Sequence, residues 1–218
     1  MDWTLPPALG QTVAGLDAMH LLALAAALGW ASGLRLYAAV FLTGLAGAVG
    51  WITLPPGLQV LQHPGVLAVA GMMVLVEFFA DKVPWVDSAW DAVHTFIRIP
   101  AGAALAAGVF GADAGAWTLV AALMGGGLAA TAHMAKATTR AAANTSPEPF
   151  SNIGLSLLGD AAVPVMLWLA WSHPVVFFVA LALALLVMGA LIVLMFKFLR
   201  GLWSALRQHF GAPPVARA

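Results

Sequence analysis

The sequence predicts an all-α, polytopic integral membrane protein that forms a single helical bundle. Of its 218 residues, 62% are hydrophobic and 8% are charged, whereas soluble domains carry roughly 25% charged residues. The mean hydropathy is +0.96. So few charges cannot cover the surface of a soluble domain of this size. We therefore expect a single membrane domain over residues 1–218, with the lipid bilayer as its principal partner.

The apolar stretches predict about seven membrane spans, some of them short or broken. One span needs about 20 residues, and the first stretch, residues 18–52, is longer than that. It is interrupted at Gly33. We therefore predict two helices, of which the first is short or re-entrant. An amphipathic segment covers residues 85–98. Further apolar stretches cover residues 66–80, 101–111, 116–130 and 153–171, and a C-terminal transmembrane helix is predicted over residues 174–209.

The distribution of positive charge predicts the orientation. Four of the nine Lys and Arg residues lie in the final 22 residues, namely Lys197, Arg200, Arg207 and Arg217. The positive-inside rule therefore predicts a cytoplasmic C-terminus in a multi-pass protein of the bacterial inner (plasma) membrane. No basic stretch suggests a nucleic-acid partner, and no motif indicates a cofactor. The chain has no cysteine, which excludes disulfides and thiolate sites. The sequence leaves a homo-oligomer open.

Residues 17–98 and 115–172 have the pattern of an internal repeat. Each runs from a helix rich in small residues through a Pro-rich turn and an apolar helix to an aspartate, Asp81 or Asp160, followed by Val-Pro. Transporters often consist of two inverted repeats whose broken helices meet at the substrate site. The pattern predicts helices broken near Pro84 and Pro164. The alternative is a chance recurrence of Gly, Pro and Asp in a biased composition.

Acidic residues interrupt two apolar segments, and ionisable groups inside a membrane usually pair or line a cavity. Glu77 and Asp81 share one helix face, and Asp87, Asp91, His94 and Arg98 form a second stripe. One hypothesis is a proton relay. Another is a metal or acid–base site with Asp87, Asp91 and His94 as candidate ligands. The alternative for the second stripe is an amphipathic helix at the membrane interface.

Basic residues form a matching set. His133, Lys136, Arg140 and Asn144 share one helix face, and Arg35 follows the break at Gly33. We expect them to face the carboxylates, because an unpaired buried charge costs several kcal/mol. The alternatives are that Arg35 reaches the interface and that the basic helix leaves the membrane. A cavity here would be completed by Glu148, Ser151, Asn152, Ser156 and Asp160.

A charge count predicts surplus acid in the core. Without the charges near the two ends, eight acidic and five basic residues remain, and Asp113 is expected in a loop. At least two core carboxylates would then be protonated, exposed to water or bound to a cation. Such a surplus is typical of a proton-coupled or cation-dependent site.

These patterns favour a transporter or channel-like protein for a small anionic or zwitterionic solute or lipid headgroup, with proton coupling. The predicted substrate-binding residues are Arg35, His133, Lys136, Arg140, Asn144, Ser151 and Asn152, and the predicted proton-coupling residues are Glu77, Asp81, Asp91 and Asp160. The alternatives are a membrane-embedded enzyme with an Asp/His site and a non-catalytic assembly or scaffold protein. No hydrolase, zinc-protease or phosphate-loop motif supports an enzyme.

Four polar runs carry a resemblance to a known family. They cover residues 31–37, 77–91, 94–102 and 144–152 and are rich in Trp, Asp and Pro. Over about residues 21–164 the chain resembles the bacterial membrane family catalogued as domain of unknown function 4126. The resemblance implies an all-helical membrane protein and brings no activity with it.

Overall fold

The computed structural model describes residues 16–83, 86–145 and 150–210, and every regular element in that part of the chain is helical. The helices are α1 (Ala18–Ala48), α2 (Pro64–Ala80), α3 (Val86–Phe110), α4 (Ala116–Ala143), α5 (Phe150–Ser172) and α6 (Pro174–Phe210), with short 3-10 helices at Pro56–Gln62 and Ala112–Ala114. The prediction of a helical membrane bundle is confirmed.

Helix α1 consists of two arms joined at Arg35. The backbone of Arg35 leaves the helical region, with φ −144° and ψ 74°. One cavity is lined both by Leu24 of the first arm and by Thr43 of the second arm. A straight helix would hold these two residues about 28 Å apart. The arms therefore fold back on each other, and Arg35 lies at the tip of a helical hairpin. The prediction of two helices is confirmed, with the turn two residues later than expected.

Glycine contacts fix the direction of each arm. In the first arm, Gly29 and Gly102 of α3 approach closely, since a Cβ on Gly102 would lie 3.3 Å from the Gly29 carbonyl oxygen. In the second arm, a Cβ on Gly44 would lie 2.2 Å from the Leu61 carbonyl oxygen. The same 3-10 helix contacts the end of α3, where a Cβ on Gly57 would lie 2.4 Å from the Gly108 oxygen. The second arm thus returns towards the end of the bundle where the first began.

The number of candidate spans is lower than the about seven predicted. Among the described residues, five helices are long and apolar enough to cross a membrane when the whole of α1 is counted as one. There are up to six if the 3-10 helix at Pro56–Gln62 and α2, bent by 69°, count as one broken span. One reason is that the apolar stretch at residues 101–111 continues α3 through Pro100. Bilayers tolerate a proline inside a helix where neighbouring groups satisfy the freed carbonyl.

Glycine packing draws α1 and α4 together beside the tip of the hairpin. A Cβ on Gly33 would lie 2.3 Å from the Ala129 carbonyl oxygen, and one on Gly29 would lie 2.5 Å from Gly125 Cα. Small residues allow this separation in membranes, where van der Waals packing drives association. The polar side chains that follow in both helices are thereby brought into contact.

Helices α5 and α6 form the outer side of the bundle. Helix α5 is continuous through Pro164, so the predicted break there is wrong; Pro84 lies outside the described residues. The most apolar window of α6 is only 11% buried, and most of its large side chains face outward.

Candidate functional site

Ten ionisable side chains meet around the tip of the hairpin and form what we call the charge cluster. Its acids are Glu77, Asp81, Asp87, Asp91 and Asp160, and its bases are Arg35, Lys82, Arg98, Lys136 and Arg140. They come from the break in α1, the end of α2 and the following turn, α3, α4 and α5. Distant segments of the sequence thus converge on one buried site.

Arg35 binds both Asp81 and Asp160, which occupy equivalent positions in the predicted repeat. Its guanidinium forms ion pairs with Asp81 and with Asp160, the latter at 2.9 Å. It also donates to the Ser156 hydroxyl at 2.8 Å. Lys82 approaches Asp160 at 3.6 Å and lies over the ring of Phe78. Arg35 therefore does not reach the membrane interface; it is buried in the cluster.

The basic face of α4 meets the carboxylates. Lys136 lies 3.1 Å from both Asp81 and Asp91, and Arg140 lies 3.0 Å from Asp87. Arg140 also donates to the Asp81 backbone carbonyl at 2.8 Å. The expectation that the acidic and basic stripes face each other is confirmed, and both basic side chains are less than a tenth exposed.

Arg98 is the most deeply buried base of the cluster. The sequence placed it on one helix face with Asp91, but not among the predicted substrate-binding or proton-coupling residues. It binds Glu77 at 2.5 Å and Asp91 at 2.8 Å, and it lies 3.3 Å from His133 Nδ1. His133 Nε2 lies 2.7 Å from the Thr95 hydroxyl. The signal was present, since Arg98 follows Asp91 by two helical turns on the same face.

The described residues show no surplus of acid in the cluster. The cluster contains five acids and five bases, so it is formally neutral. Asp17 caps the exposed start of α1, and the Asp113 side chain and Glu148 are outside the described part of the chain. The count had included Asp17 among the core acids, whereas its side chain is exposed at the start of α1.

The candidate metal ligands do not converge. Asp87 binds Arg140 and Asn144, whereas Asp91 binds Arg98 and Lys136. His94 lies 3.1 Å from the Tyr37 hydroxyl and stacks on Trp90. Among the described residues, no three His, Asp or Glu side chains are placed to hold a metal ion. The geometry therefore gives these carboxylates basic partners from the protein itself.

The predicted amides and serines divide between the cluster and the surface. Asn144 donates to Asp87 at 3.2 Å, and its oxygen accepts from Asn152 at 2.5 Å. Ser156 contacts Arg35 and Lys82. Ser151 is exposed at the start of α5.

A cavity of about 350 Å³ adjoins the charge cluster. Arg35, Lys136 and Arg140 line it on one side, together with Thr139. The remaining lining comes mainly from apolar residues of α5 and α6, which the sequence did not associate with a site. A volume of this size falls in the range of small-molecule sites.

A helical membrane bundle with a buried charge cluster beside a cavity defines the class of this protein. Residues 22–195 match the family described as domain of unknown function DUF4126, and the chain belongs to that family. Neither the curated proteins nor the solved structures contain a match.

Proposed function

We propose that this protein is a membrane transporter for an anionic or zwitterionic solute or lipid headgroup, and that substrate movement is coupled to protons. The observation that carries the proposal is the position of three cluster cations, Arg35, Lys136 and Arg140, in the wall of the cavity. Burying so many charges is costly, and intramembrane ionisable residues usually mark a substrate or ion pathway.

The neutrality of the cluster gives a reason for proton coupling. An anion that enters alone leaves one uncompensated negative charge in a low-dielectric site, at a cost of several kcal/mol. A proton that enters with it restores neutrality. Asp160 is the acid that fits this role best, because its side chain is 28% exposed while those of Glu77, Asp81 and Asp91 are at most 4% exposed. An anion on Arg35 would displace Asp160, which then takes the proton.

The hairpin supports the same proposal. Transporter sites lie where broken helices end near the middle of the bilayer, and Arg35 occupies such an end. The first arm of α1 runs parallel to α4, as the contacts of Gly29 with Gly125 and of Gly33 with Ala129 require. The second arm therefore runs opposite to α4. Helix α2, which ends beside the tip at Asp81, likewise runs opposite to α5, which begins beside the tip. This is the relation expected of inverted repeats, with Asp81 and Asp160 meeting on Arg35.

The charge distribution supports a cytoplasmic C-terminus in a plasma membrane. The connections at residues 49–63, 111–115 and 173 contain no Lys or Arg and lie at the end of the bundle where α1 begins. Helix α6 ends at the opposite side and carries Lys197, Arg200 and Arg207. If α1 is re-entrant, five elements of the described chain cross the membrane, and the start of α1 and the end of α6 lie on opposite sides.

A reconstituted flux assay tests the proposal. Proteoliposomes containing a pH-sensitive dye are given radiolabelled phosphate, lactate, phosphoethanolamine or lysophosphatidate, and uptake and internal pH are followed together. We expect uptake of at least one of these, with internal acidification for an anion. The Arg35→Gln, Asp160→Asn double variant keeps the cluster neutral and should lose both signals.

Asp17→Asn, at the exposed cap of α1, is the control that should keep them. The same assay distinguishes a transporter from a scaffold protein. The internal pairing of the charges would also be compatible with a scaffold. Absence of uptake for all four compounds, with correctly folded protein in the vesicles, would contradict the transport proposal.

A further inference from the structure

The cavity beside the charge cluster has two chemically different halves. Its polar half is made by cations of α1 and α4 together with Thr139, as described above. Its apolar half is made by α5 and α6, namely Leu155, Leu158, Ala162, Leu183, Val187 and Leu191. A small hydrophilic anion would use the first half and leave the second without a function.

Two buried polar atoms in the cavity lining have no hydrogen-bond partner within the described structure. They are the Trp30 indole nitrogen and the Thr139 hydroxyl, and Trp30 is only 2% exposed. Buried polar groups are nearly always paired, so an unpartnered donor in a cavity wall points to a ligand that accepts from it. Both groups can donate to the oxygen of an anion.

The apolar half of the cavity extends to the outer surface of the bundle. Leu183 and Val187 line the cavity, yet they are 59% and 58% exposed. In a membrane protein, that exposed surface of α6 faces the hydrocarbon chains of lipids. A molecule with a hydrocarbon chain therefore has a route into the cavity from the bilayer.

We propose that the ligand of this cavity is an anionic amphiphile with one long hydrocarbon chain, an inference that rests on the proposed function. Its carboxylate or phosphate headgroup binds Arg35, Lys136 and Arg140 and accepts from Thr139 and Trp30. Its chain lies between α5 and α6. Carboxylate and phosphate share the chemistry that these donors recognise, and the two sources of that chemistry are a free fatty acid and a lysolipid.

The test compares chain length and headgroup on the purified full-length protein in a non-ionic detergent. The probes are laurate, lysophosphatidate, butyrate, glycerol phosphate and lauryl alcohol, and binding is measured by native mass spectrometry. Each buried methylene tightens binding by about fourfold. Burial of about two methylenes is enough for roughly tenfold, so laurate, with its much longer chain, should bind at least roughly tenfold more tightly than butyrate. Lauryl alcohol has the same chain and partitions into micelles in the same way. It should bind more weakly than laurate, because it has no negative charge for the cations to bind.

A pair of neighbouring threonines tests the headgroup. Thr139→Val removes the unpartnered hydroxyl and should weaken laurate binding by roughly tenfold, as expected for a hydrogen bond to a charged group, without loss of thermal stability. Thr138→Val is the matched control, because the Thr138 hydroxyl donates to the Met134 carbonyl of its own helix at 2.7 Å. Thr138 does not line the cavity.

A pair of leucines on α6 tests the position of the chain. Leu183→Trp narrows the cavity from the lipid side and should weaken laurate binding while leaving that of butyrate unchanged. Leu194→Trp is the matched control on the same helix, because Leu194 is 58% exposed and lies outside the cavity lining.

Three results would overturn the assignment, and they differ in what else they affect. Equal affinity for laurate and butyrate would refute the hydrocarbon chain and leave transport of a small anion standing. Unchanged laurate binding by the Thr139→Val variant would place the headgroup outside this cavity. Failure of every anionic probe to bind would refute both the amphiphile and the proposal that the transporter carries an anion.

Discussion

Replacing Arg98 with Met is the most severe single perturbation that the charge cluster offers. The Arg98 side chain is fully buried, and its partners Glu77 and Asp91 are 2% and 4% exposed. Removing the guanidinium leaves two carboxylates facing each other without their common cation. Breaking a buried pair in this way costs about 3–5 kcal/mol, and here the cluster also acquires a net negative charge.

The double variant Arg98→Met, Glu77→Gln should recover part of that loss, because it restores neutrality. We expect a coupling energy of about 2 kcal/mol between the two sites, which is within the range for residues in contact. The assay is unfolding by an anionic detergent in mixed micelles, followed by the fluorescence of the nine tryptophans. Asp17→Asn is the control second mutation, since Asp17 is exposed and contacts His20. Additive losses for Arg98 and Glu77, within about 0.5 kcal/mol, would refute the buried pair.

Three further predictions concern the bundle. Gly33→Leu should destabilise the protein by at least about 1–3 kcal/mol in the same unfolding assay, because its Cβ would lie 2.3 Å from a carbonyl oxygen of α4. Gly127→Leu should be tolerated, because a Cβ there would meet no atom of another element within 4 Å in the described structure. Cysteines at Leu24 and Thr43 should be joined by a short bifunctional maleimide, since both residues line one cavity; no cross-linking would contradict the hairpin. A reporter fused after Phe210 should be cytoplasmic, and a signal from the opposite side would overturn the orientation.

The sequence was most informative where a charge interrupted an apolar helix. Lys136 and Arg140 are one helical turn apart, and so are Asp87 and Asp91, so helical periodicity alone puts each pair on one face. The energetic cost of an unpaired buried charge then requires the two faces to meet. The same periodicity placed Arg98 on one face with Asp91, although Arg98 was not predicted as a substrate-binding or proton-coupling residue.

The cavity could not be predicted from the sequence, because its apolar half comes from helices without an informative pattern. Helix α6 is hydrophobic on every side from Pro174 to Phe196, so no periodicity shows which face meets Thr139. Likewise, nothing in the sequence shows that Trp30 is left without a hydrogen-bond partner. The acid count had a related weakness, since the sequence does not show that Asp17 is exposed at the start of α1.

The hairpin was partly predictable. Gly33 and Ser32 indicated a break, but the residue that leaves the helical conformation is Arg35, which makes two buried ion pairs there. Tertiary contacts of the arginine with Asp81 and Asp160 therefore fix the turn more precisely than local conformational preference does.

Proton uptake during anion binding is the measurement that tests the central claim most directly. Laurate is added to the purified protein in weakly buffered detergent solution, and the protons taken up are counted against the laurate bound. A neutral cluster predicts uptake of about one proton for each bound anion. It also predicts that Asp160→Asn, which gives the cluster one extra positive charge, binds laurate without any uptake. Laurate binding to the unaltered protein with no proton taken up would contradict the account.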